Sequence, residues 1–159
     1  MLAAAALALS ILGQGNGAQI ATRSLKVGAW TAKIRRDTFT GDVSCWLNGR
    51  GVSFHRDTLV FHLGDGVDTS EAYFRIDGGP ARSTREPRLE NETHGFFLNQ
   101  GPIGNPSGGE VALPLSVTQG AKQVYIRASA KHAPRAFDLS QFSDALTAAK
   151  GAGCSDASF

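Results

Sequence analysis

The stretch from Val43 to Asp77 constrains the fold more than any other. Its runs VSCWL, GVSFH and LVFHLG alternate apolar with polar residues and are separated by turn-forming residues. That pattern predicts an antiparallel three-strand meander, with EAYFRID as the strand that follows. Alternation places Cys45, Leu47, Val52, Phe54, Phe61 and Leu63 on one face. A loop over Asn48–Gly51 sets Leu47 opposite Val52 and Cys45 opposite Phe54. A turn at Asp57-Thr58 sets Phe54 opposite Phe61 and Val52 opposite Leu63. Both registers give the same apolar face, and a slip by one residue would turn that face to water.

Such a sheet needs a lid, and the C-terminal segment FDLSQFSDALTAAKGAGC offers one. Leu139, Phe142, Ala145, Leu146 and Ala149 recur at helical spacing. Asp138 with Gln141 has the spacing of a capping box, and Gly151 and Gly153 stop the helix. Further strands are expected in the run LKVGAWTAKIRRD, residues 25–37, with Trp30, Ala32 and Ile34 inward, and at Val124–Ala128. In EAYFRID the inward set is Ala72, Phe74 and Ile76, with Tyr73, Arg75 and Asp77 outward; Gly78-Gly79-Pro80 ends it. GFFLN, residues 95–99, reads as a short strand. Val111, Leu113, Leu115 and Val117 alternate as another, with Pro114 suggesting an edge position. Residues 81–93 and 100–109 read as loops. The fold class expected is mainly β: an antiparallel β-sandwich or partly open barrel with one C-terminal α-helix.

The run LAAAALALSIL near the start is too short to span a bilayer and fits the apolar region of a secretory signal peptide. Small and polar residues follow it, so residues 1–18 read as the signal and 19–159 as a single β-rich domain, with no transmembrane segment after removal. No Lys or Arg precedes the run, and a buried N-terminal helix is the alternative reading. Of 159 residues, two are cysteines, Cys45 and Cys154. In an exported protein an even count argues for a disulfide, and only one pairing exists; the alternative is two buried thiols. Their spacing does not suit a structural zinc site. A net charge of +2 without a Lys/Arg run argues against a nucleic-acid partner.

Candidate chemistry is sparse. In the registers above His55 and His62 are diagonal neighbours on the outward face, where they could share a metal with Asp57, but spacing supplies no third ligand. Two strand histidines on a solvated face are the plainer alternative. Tyr73, Arg75 and Asp77 form a polar surface patch, or a surface ion pair beside a turn. No nucleophile elbow, zinc-protease motif or P-loop occurs, and no cofactor is expected. Asn91-Glu92-Thr93 matches a glycosylation sequon. The loop 99–109 is either a recognition loop or a connection.

The terminal F-D-L-S-Q-F-x-x-A-L segment, Phe137–Leu146, and loosely Leu113-Pro114, resemble the invasion-associated locus B family of small exported Gram-negative proteins. The resemblance implies a strand-rich envelope protein without a defined reaction. The function expected is therefore a periplasmic or secreted, non-enzymatic binding or envelope-associated protein, its partner an unknown protein or envelope component. The alternatives are a small metal-dependent hydrolase using His55 and His62, and a rigid-loop enzyme inhibitor.

Overall fold

The computed structural model describes residues 20–86, 104–105 and 108–159. The expected signal peptide, the strand at 95–99, the sequon and most of the loop 99–109 lie outside the described residues. Two antiparallel sheets make the body. The larger is formed by β1 (Ile20–Val27), β2 (Trp30–Asp37), β3 (Val43–Gly49), β4 (Val52–His55), β5 (Thr58–His62) and β9 (Glu110–Pro114). The two-residue β8 (Gly104–Asn105) extends its edge, giving the order β1-β2-β3-β4-β5-β9-β8. The smaller contains β6 (Tyr73–Ile76), β7 (Arg82–Ser83), β10 (Gln123–Arg127) and β11 (Arg135–Asp138), in the order β11-β10-β6-β7. EAYFRID therefore leaves the meander and joins the second layer.

The inner face of the larger sheet is covered by two things. Over β1–β3 lies α2 (Phe142–Gly151), whose Phe142 ring sits 5.1 Å from Trp30 and 5.1 Å from Phe54. Over the other half lies the smaller sheet, where Phe137 meets Phe61 edge-on at 5.1 Å. Cys45, Leu47, Val52, Phe54 and Phe61 are all buried, as the alternation requires, and Leu63 is half-buried. Cys45 and Cys154 are bonded, which ties β3 to the segment just past α2.

Three expectations are corrected. The first meander turn is tighter than read, two residues at 50–51, and the second lies one residue earlier than read. Arg56 and Asp57 both have positive φ, 49° and 54°, so they form the two-residue turn that suits the twist of a hairpin. His55 then pairs with Thr58 and Val52 with Phe61, while across the preceding turn Leu47 pairs with Phe54. Each register differs from the expected one by two residues, which leaves the inward face unchanged. Leu115 and Val117 do not continue β9: past Pro114 the chain forms the single helical turn α1 (Leu115–Thr118). The capping box does not form either. Asp138 ends β11, and its carboxylate accepts the Ser140 N–H at 2.8 Å, holding the acid below its ordinary value. Gln141 instead accepts the Ala29 N–H at 3.0 Å, across the β1–β2 turn. β11 was not expected as a strand, and the run 25–37, expected as one strand, is split by a turn at 28–29 into the end of β1 and the whole of β2.

Candidate functional site: an arginine–tyrosine cleft

On the outer face of the smaller sheet, β6 and β10 run antiparallel with Arg75 opposite Tyr125 and Tyr73 opposite Arg127. The face is thus a two-by-two pattern of cations and aromatic rings. With Gly78, Ala81 and Pro134 these four line a concavity of about 410 Å³. The inward neighbours Phe74, Val124 and Ile126 are buried, so the pattern stands on a packed floor.

Several contacts fix the walls. The Arg127 guanidinium lies 5.7 Å from the centre of the Tyr73 ring. Arg75 donates from Nε to the Gly79 carbonyl at 2.9 Å and from Nη2 to the Gly78 carbonyl. Tyr125 donates its hydroxyl to the Gln123 side chain. Two guanidinium groups beside two phenols suit a ligand with a carboxylate, sulfate or phosphate on a flat or ring-shaped carrier.

The structure separates the residues of the expected patch. Tyr73 and Arg75 belong to the cleft, but Asp77 does not. Asp77 has a φ of 47°, and its carboxylate accepts the Lys122 and Gln123 N–H groups at 3.0 and 2.8 Å, bracing the entry to β10. Tyr125, Arg127 and Pro134 were missed as site residues. The run QVYIR carried the signal, since Tyr125 and Arg127 alternate with buried Val124 and Ile126.

The structure does not bring His55 and His62 together. They stand at opposite ends of the β4–β5 hairpin, about 13 Å apart along the strands at 3.3 Å per residue. His55 places Nδ1 3.2 Å from the Cys45 carbonyl and stacks on Trp46. His62 faces Glu110 and Ser53. Among the described residues no group of three or more His, Cys, Asp or Glu is placed to hold a metal.

A second feature is the loop between β2 and β3. Its tip carries Phe39, 92% exposed. The Asp37 carboxylate accepts the Thr40 and Phe39 N–H groups, and these bonds hold it below its ordinary value. Thr40 and Asp42 bond to each other as well, so an exposed aromatic is presented on a braced turn.

Of the loop 99–109, Gly109 is fixed against β5: Leu63 donates its N–H to the Gly109 carbonyl at 2.8 Å. Among the described residues no helix is long and apolar enough to cross a membrane. Comparison of the chain with protein-family models, curated proteins and solved structures found no match.

Proposed function

We propose that the chain is an exported binding protein whose cleft of Tyr73, Arg75, Tyr125 and Arg127 takes an anionic, ring-bearing component of the cell envelope, such as an acidic glycan. The observation that carries this reading is the alternation of arginine and tyrosine over a buried apolar floor. Export is supported by the apolar leader followed by small residues and by the disulfide, which suits an oxidising compartment. The intact mass of exported protein should correspond to a start near Gln19.

The test is calorimetric titration of the mature protein with a carboxylated oligosaccharide and its uncharged counterpart. The charged form should bind more tightly, and Arg75→Ala or Arg127→Ala should each weaken it about tenfold or more, as expected for a hydrogen bond between charged groups. Equal affinity for both oligosaccharides, or for the combined Arg75→Ala/Arg127→Ala variant and the parent, would refute the reading.

A second reading, a rigid-loop inhibitor, is favoured by Phe39 on its braced turn. It requires that a partner enzyme lose affinity for Phe39→Ala while the arginine variants bind it normally.

A further inference from the structure

The outer face of the larger sheet carries a separate constellation. Ser53 on β4, His62 on β5 and Glu110 on β9 lie on successive strands. His62 is directly opposite Glu110, and Ser53, paired with Val60, is diagonal to His62 on the same face. The imidazole is shared between them. Nδ1 is 2.9 Å from Glu110 Oε1, and Nε2 is 3.3 Å from Ser53 Oγ. The tautomer that satisfies both contacts carries its proton on Nδ1, donated to the carboxylate. Nε2 is then left to accept from the serine hydroxyl.

The main chain beneath the group is held. The His62 carbonyl accepts from Arg135 Nη1 at 2.8 Å, and the Glu110 carbonyl accepts from Thr69 Oγ1 at 2.8 Å. The His62 N–H donates to the Gly51 carbonyl. The His62 and Glu110 side chains remain 44% and 27% exposed, so a substrate can reach them.

We propose that Ser53 is a nucleophile activated by His62 and Glu110, and that it accepts acyl groups from short-chain esters. Nucleophile, base and orienting acid in this sequence of contacts recur on unrelated folds. Ser53 Oγ attacks the ester carbonyl and its proton passes to His62 Nε2. The bond from the acyl carbon to the alcohol oxygen breaks, and the alcohol leaves with that proton. Water, deprotonated by His62, then attacks the acyl-serine, releasing the acid and restoring the hydroxyl. Glu110 stays ionised throughout and steadies the imidazolium. With Val60 and Ala112 buried beside the half-exposed His62 and Glu110, the site favours a small acyl group, such as acetyl. This site is independent of the arginine–tyrosine cleft.

The test uses the folded, disulfide-bonded protein and a fluorophosphonate probe, with the modified peptide located by mass. Hydrolysis of p-nitrophenyl acetate is followed in parallel. The expected result is an adduct on Ser53 that is absent in Ser53→Ala. Its rate should follow deprotonation of one base and fall about 100-fold or more in His62→Gln. Glu110→Gln should also slow it, while His55→Gln, whose ring lies at the other end of the hairpin, should label at the parental rate. If His62→Gln does not fold, the Glu110→Gln rate decides. Failure of the parent protein to label at Ser53, or labelling as fast in the His62 or Glu110 variant as in the parent, would overturn the proposal.

Discussion

Removing the Cys45–Cys154 bond tests how the two ends of the domain are joined. The bond spans a sequence separation of 109. In the chain-entropy model a closed loop of about 110 residues restricts the unfolded chain by roughly 4.8 kcal/mol at 25 °C. The native state of Cys45→Ala/Cys154→Ala should persist, because Phe142 still packs on Trp30 and Phe54, and Phe159 still lies 5.3 Å from Phe54. A ten-residue helix is marginal alone, so it depends on those contacts once the bond is gone. The expected loss is about 3–5 kcal/mol, a large part of a total stability of roughly 5–15 kcal/mol. Urea unfolding of the parent, the reduced parent and the double variant measures it. Reduced parent and variant should fall together, with a steeper denaturant dependence, since an unlinked chain exposes more surface on unfolding. A loss below about 1 kcal/mol would refute the entropic account. Two alkylatable thiols in freshly isolated, unreduced protein would refute the bond itself.

Two further substitutions test the packing. Phe61 is fully buried and meets Phe137 edge-on, so Phe61→Ala should cost about 3–5 kcal/mol in urea unfolding. Phe39→Ala, at a 92% exposed site, should stay within about 0.5 kcal/mol, and equal midpoints would contradict the layer assignment. A Cβ at Gly109 would lie 1.7 Å from the Gly64 carbonyl oxygen, where backbone cannot yield, whereas one at Gly120 meets open space at a similar positive φ. Gly120→Ala should therefore cost about 1–2 kcal/mol and Gly109→Ala several times more. Comparable thermal midpoints would disprove the close approach of those two backbones.

What the sequence could convey follows from the period of a strand. The inward face of the meander was legible because it depends only on whether a position is odd or even. Register was not, because turns at 50–51 and 56–57 displace the pairing by two residues from the loops expected and leave the pattern identical. The metal reading of His55 and His62 rested on register, and it separated when register changed. The turn at 28–29 was missed, and with it β1 as a separate strand, because most of β1 is an edge strand with exposed side chains and little apolar alternation to show. Gln141 was misread because a capping spacing is local, while its partner, Ala29, lies 112 residues away.

Both candidate sites depend on the same missing information. Tyr73 and Arg75 could be named from β6 alone, but the cleft exists only once β10 lies beside it and sets Tyr125 against Arg75. Ser53 and His62 could be placed outward from the hairpin, but nothing local brings Glu110 to them. That requires β9 to pair with β5 across a gap of more than forty residues. Alternation fixes which side chains face solvent, and strand pairing fixes which of them meet. In a sheet protein whose motifs are silent, function is therefore written in the second relation, and the outward residues of paired strands are where it has to be sought.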